Sequence, residues 1–160
     1  MKTILSQDNA RNLTICRVSI EHIIDLRYRI LRAGLPRESA QFPGDDAAST
    51  WHVAIYNSPA ENASPASCAS FMLNSYKDEP AWQLRGMATD KPYQGKGFGG
   101  ELLRCAEVFI AAGSTVRLFW CNGRVPAIPF YQRHGWKVDS EEFDIPTAGP
   151  HRKMIKRMQE

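Results

Sequence analysis

The sequence predicts a mixed α/β domain, a twisted and mostly antiparallel sheet of about six or seven strands flanked by helices. Three observations carry this. Strand-like runs at Trp51–Tyr56, Cys68–Ser75 and Trp82–Ala88 follow one another across short links, so they form an antiparallel meander. A strand–helix–strand unit comes next, Trp82–Ala88, Glu101–Ala112 and Val116–Cys121, so its two strands (fourth and fifth in chain order) lie parallel. Finally, 160 residues without repeat or linker are the length of one domain, expected over residues 1–160 with a loosely held stretch at 1–12.

Composition narrows the class. Hydrophobic residues at 43% and charged residues at 23% are those of an ordinary globular chain, and a net charge of +3 is too small to argue for nucleic acid. No apolar run approaches the roughly 20 residues a membrane span needs. The opening Met1–Asp8 has no apolar core of a signal peptide, so a cytoplasmic protein is expected, with no membrane partner. Cys16, Cys68, Cys105 and Cys121 lie far apart with no Cys-x-x-Cys pair, which reads as four free thiols in strands and helices.

In chain order, Leu13–Val18 alternates as a first strand. Ile20–Leu31 places apolar residues at 20, 23, 24, 28 and 31, the spacing of an amphipathic helix that Gly34 and Pro36 end. Arg37–Thr50 is a loop carrying Glu38, Asp45 and Asp46. Beyond the meander, Leu102, Leu103, Ala106, Phe109 and Ile110 form one face of the crossover helix, and Gly113 caps it. Pro126–His134 is a short helix stopped by Gly135, with Pro129 tolerated only in the first turn. Lys137–Val138 and His151–Met158 are the last strands.

The crossover begins with Tyr93-Gln94-Gly95-Lys96-Gly97-Phe98-Gly99-Gly100. Glycines at 95, 97, 99 and 100 let backbone approach a bulky anion, and the following helix start offers unpaired N–H groups and a positive dipole end. This is a phosphate cradle. A P-loop reading fails because Gly97, not Ser or Thr, follows Lys96. The dinucleotide pattern Gly-x-Gly-x-x-Gly is present at 95, 97 and 100, but the strand stands too far upstream and no acid ends the next strand. A third pattern, Gln/Arg-x-x-Gly-x-Gly/Ala, is met by Gln94, Gly97 and Gly99. Ala127-Ile128-Pro129-Phe130-Tyr131-Gln132-Arg133-His134-Gly135-Trp136 then supplies Ala-x-x-Phe-Tyr-x-x-x-Gly-Phe with Trp136 in the last place.

On these two signatures, in this order, the chain resembles the GCN5-related N-acetyltransferases (GNAT) from about residue 13 to 158, most densely at 82–136. It departs from them in having Gln94 where arginine is commoner, and Arg124 where asparagine often lies, with Asn122 two residues earlier. The resemblance implies the GNAT fold, its parallel strands four and five splayed, and acetyl transfer from acetyl-CoA to an amine of a small molecule or peptide. It places cofactor contacts at Met87, Ala88, Thr89, Gln94, Gly95, Lys96, Gly97, Phe98, Gly99, Gly100, Asn122 and Phe130. It makes Tyr131 the general acid for the departing thiolate, and it is compatible with a homodimer. Alternatives are an acyl-CoA sensor without turnover, or transfer of a longer acyl group.

The fourth strand lacks the glutamate that many members use as base; Asp45, Asp46, Glu79, His52 and His151 are the candidates here. Cys121 is a nucleophile only in principle. The acids Glu38, Asp45, Asp46 and Glu79 in loops flanking the cleft point to a cationic acceptor.

Overall fold

The computed structural model describes residues 1–159. Among the described residues nine strands form one sheet: β1 (Lys2–Asp8), β2 (Leu13–Val18), β3 (Trp51–Tyr56), β4 (Ser67–Leu73), β5 (Ala81–Thr89), β6 (Leu118–Arg124), β7 (Lys137–Val138), β8 (Phe143–Ile145) and β9 (Gly149–Arg157). Their spatial order is β1-β2-β3-β4-β5-β6-β9-β7, with β8 pairing β9 off that path. The helices α1 (Ile24–Leu31), α2 (Phe98–Ala112) and α3 (Ile128–Arg133) accompany them. The meander is β3-β4-β5, and β5 pairs β6 in parallel, as the crossover requires.

Strand alternation sorts the core onto two faces. Val53 and Ile55 join Leu102, Leu103, Ala106 and Ile110 of α2 in one cluster. Ala54 and Tyr56, their chain neighbours, join Ile23 and Leu26 of the α1 segment in another. Phe109, expected on the packed face of α2, is 40% exposed instead. The helix turns it just past the edge of the buried stripe.

Two expectations need correction. Residues 1–12 are not loosely held: Lys2–Asp8 is an edge strand paired antiparallel with β2, and Asp8 then caps a short 3-10 turn by accepting from the Arg11 N–H. Its side chains are mostly exposed, so backbone ladder bonds hold it without an apolar pattern. The helix expected over Ile20–Leu31 is a 3-10 turn at Ile20–His22 followed by α1.

Two features of the sheet shape the site. The β5–β6 ladder runs only through Ala81–Leu118, Trp82–Phe119 and Gln83–Trp120; from Leu84 and Cys121 onward the two strands are unpaired and part. On its other edge β5 carries a bulge, since Ser70 pairs Arg85 but Cys68 pairs Ala88. Gly86 makes that bulge with φ +64, and a Cβ there would stand 2.7 Å from Arg27 Nε. Backbone conformation and the arginine beneath it both demand glycine.

Candidate active site

The glycine loop closes a cleft of about 540 Å³ between the end of β5 and α3. Gly95 and Gly97 have φ +77 and +83 with nothing within 4 Å of a notional Cβ, so the open space above them is free for a ligand. Gly97 is the N-cap of α2 and supplies no side-chain cap, which leaves the first N–H groups of the helix for an anion. Gly100 is tighter: its Cβ would come within 2.6 Å of His134 Nε2.

Met87, Ala88, Thr89, Gln94, Gly95, Gly97, Phe98, Gly99, Gly100, Phe130 and Tyr131 all line this cleft. Lys96 and Asn122 do not. Lys96 is exposed to solvent. Asn122 lies on β6, lining a second cavity and accepting from Lys153 Nζ at 3.0 Å, so the parting of β5 and β6 carries it away from the glycine loop. The Gln94 amide donates to Thr89 O at 3.0 Å and so pins the loop to β5. Arg104 and Arg133, missed in the sequence, line the cleft and add the charge that Gln94 lacks. Arg104 recurs one helical turn beyond Gly100, which is the signal that was available.

The second cavity, about 250 Å³, opens on the other side of β5. Met87, Ala127 and Tyr131 line both cavities, so the two meet at Tyr131. The Tyr131 ring packs against Phe130 (centroids 5.2 Å apart) and Trp136 (5.6 Å). Burial holds its hydroxyl well above the usual phenol pKa, and the neighbouring Cys121 adds to that. Tyr131 is therefore a proton donor, not a phenolate, at any working pH. Burial likewise pushes the Cys121 thiol up to about 12, with the neighbouring Tyr131 hydroxyl opposing only in part. Such a thiol is no nucleophile.

The candidate bases separate on geometry. Asp45 is consumed by Arg27: Oδ2 accepts from Arg27 Nη1 at 2.7 Å and from the Phe42 N–H at 2.7 Å, and Oδ1 accepts from Nη2 at 3.1 Å. His52 has both ring nitrogens engaged, with Ser70 Oγ at 2.7 Å and Asp45 O at 2.8 Å. Glu79 forms a forked pair with Arg157. Asp46 is exposed and lines neither cavity. His151 is different. It is 4% exposed, lines the second cavity, and has Nδ1 2.7 Å from Gly149 O. A carbonyl only accepts, so Nδ1 donates, and in the neutral ring the lone pair is on Nε2.

These assignments also overturn the cationic-acceptor expectation. None of Glu38, Asp45, Asp46 and Glu79 lines either cavity. Asp45 and Glu79 looked available in sequence because their partners, Arg27 and Arg157, lie 18 and 78 residues away.

Comparison with known proteins bears on the family and the fold. An acetyltransferase (GNAT) domain model matches residues 48–138. Over 149 residues the chain is 33% identical to YitI of Bacillus subtilis (strain 168), named an uncharacterized N-acetyltransferase, covering 91% of this chain and 97% of that protein. Among solved structures, Escherichia coli ElaA aligns with a TM-score of 0.73 at 13% identity, covering 91% of this chain and 98% of that one. An aminoglycoside 6'-N-acetyltransferase complexed with coenzyme A gives 0.69 at 12%, covering 91% and 97%. At such identities the structural likeness speaks for the fold alone.

The class is thus an acyl-CoA-dependent N-acetyltransferase with acetyl-CoA as its co-substrate. The chain belongs to the GNAT acetyltransferase family.

Proposed function

We propose that the protein moves an acetyl group from acetyl-CoA directly to the amine of a small molecule, with Tyr131 as general acid and His151 as general base. The observation that carries this is the meeting of the two cavities at Tyr131. One cavity suits the cofactor, with its pyrophosphate on the N–H groups from Gln94 to Gly100 and its pantetheine arm along Met87, Ala88 and Thr89. The other, at about 250 Å³, suits a small acceptor.

Chemistry follows from that arrangement. His151 Nε2 takes the proton from the acceptor ammonium, or from the nitrogen as it attacks. The amine nitrogen bonds to the thioester carbonyl carbon, and the oxygen gains negative charge beside the bulge, where a Met87 or Ala88 N–H stabilises it. The carbon–sulfur bond then breaks and sulfur receives the Tyr131 proton, giving N-acetyl amine and free CoA; the protons shed by nitrogen, through His151 and solvent, restore the Tyr131 hydroxyl. With Cys121 held as a thiol, no acyl-enzyme forms.

Release of free thiol from acetyl-CoA that depends on added amine, with the N-acetylated product identified by mass spectrometry, tests this. Acetyl-CoA binding without thiol release for any amine would instead support the sensor alternative. Faster release from longer acyl-CoA esters than from acetyl-CoA would reassign the acyl group.

A further inference from the structure

Every ionised side chain lining the second cavity is an arginine: Arg32 from the end of α1, Arg85 from β5 and Arg124 from the end of β6. No carboxylate lines it, and none of the three arginines forms an ion pair among the described residues. Phe42 fixes two of them, its ring centroid lying 5.2 Å from the Arg32 guanidinium carbon and 4.5 Å from that of Arg85. The third arginine on that ring, Arg27 at 4.1 Å, differs because Asp45 neutralises it.

The remaining donors are little used. Arg32 reaches only the Ser39 and Leu31 carbonyls, at 3.3 and 3.2 Å, and Arg85 only the Met72 sulfur at 3.9 Å. Burial first, then Arg124 and Arg27, pull the Arg32 guanidinium below its ordinary value. Burial does the same to Arg85, with Asp45 opposing and Arg27 and Arg32 adding to it. Like charges gathered in a concave site destabilise a fold unless an anion enters. The cofactor's phosphates do not serve, since no residue from Gln94 to Gly100 lines this cavity.

Resting on the acetyl-transfer reading, we infer that the acceptor is a small amine carrying an anionic group, a carboxylate or a phosphate. Arg32, Arg85 and Arg124 hold that group while the amine faces Tyr131 and His151. Planar guanidinium forks match both oxyanions bidentately, which also orients the amine.

Calorimetry on protein saturated with CoA, so that the glycine-loop anion site is filled, tests this with matched pairs. One arm sets amino acids against their carboxamides; the other sets O-phosphoethanolamine against ethanolamine. The anionic member should bind roughly tenfold or more tightly than its neutral partner, as charge-assisted hydrogen bonds imply, and the arm with the larger preference names the anion. Arg85→Gln should erase the preference. Arg124→Gln, at an exposed position, should reduce it and keeps the test open if Arg85→Gln fails to fold. Equal or tighter binding of the neutral members would overturn the inference, as would anion affinity that is absent or unmoved in both variants. Thiol release from acetyl-CoA with the binding amines is read separately. Its absence beside anion binding would sink the transfer reading and leave the anion site standing.

Discussion

Asp45→Asn distinguishes a structural acid from a substrate-binding one. Asp45 closes a forked ion pair with Arg27, whose side chain is 0% exposed against 9% for Asp45. The same guanidinium donates to Ala40 O at 2.8 Å and Ser70 Oγ at 2.7 Å, so it ties α1, the following loop and β4 together. Asparagine has nearly the same shape but leaves the guanidinium charge buried without a counter-ion. Breaking one side of a buried pair costs about 3–5 kcal/mol. For a domain of this length each kcal/mol moves the melting point by about 2–4 °C, so a fall of about 6–20 °C is expected. Urea denaturation and thermal melting measure it, with the acceptor KM taken on the folded protein. An unchanged melting point with a raised acceptor KM would refute the reasoning and return Asp45 to the acceptor site.

Three further outcomes are expected. Gly99→Asp should weaken acetyl-CoA binding by tenfold or more, about 1.4 kcal/mol per decade, because its carboxylate would face the pyrophosphate; unchanged affinity by calorimetry would contradict the cradle. His151→Gln should lower kcat/KM at neutral pH by roughly 100-fold or more, and the deficit should shrink at alkaline pH as free amine becomes abundant. A constant deficit across pH would remove His151 from the base role. Burial raises the Glu107 carboxyl above its ordinary value, with Lys156 and then Trp136 opposing. A raised value in the folded state means that the protonated form is favoured there. Its contribution to stability is therefore full below the ordinary value of 4.5 and is lost as pH rises through the folded value. Denaturation midpoints should thus shift against wild type, relative to Glu107→Gln, across the weakly acidic range; parallel curves would contradict this.

The crossover unit was legible because it combines period-2 and period-3.6 patterns around a glycine loop that admits few conformations. The meander was legible through its short links. β1 and β8 were not, since Lys-Thr-Ile-Leu-Ser-Gln-Asp and Phe-Asp-Ile bury no residue fully and are held largely by backbone pairing at the sheet's margins. The charged interior was invisible for a different reason. Arg27 pairs across 18 residues with an acid in a loop, and a lone arginine on an amphipathic helix reads as solvated. Its spacing four residues after the buried Ile23 was the clue, because those positions share a face. Likewise, the three cavity arginines come from separate elements and meet only when β5 and β6 part.

The central claim is that Tyr131 delivers a proton at the junction of the two cavities, and Tyr131→Phe tests it most directly. The change keeps the ring packed against Phe130 and Trp136 and removes only the hydroxyl. With kcat measured where chemistry limits turnover, the rate should fall roughly 10- to 1,000-fold, the lower part of general-acid effects because a thiolate is a fair leaving group unaided. Acetyl-CoA Kd and the melting point should barely move, since the hydroxyl matters once charge builds on sulfur. A variant with unaltered kcat would contradict the account and leave Tyr131 as core packing.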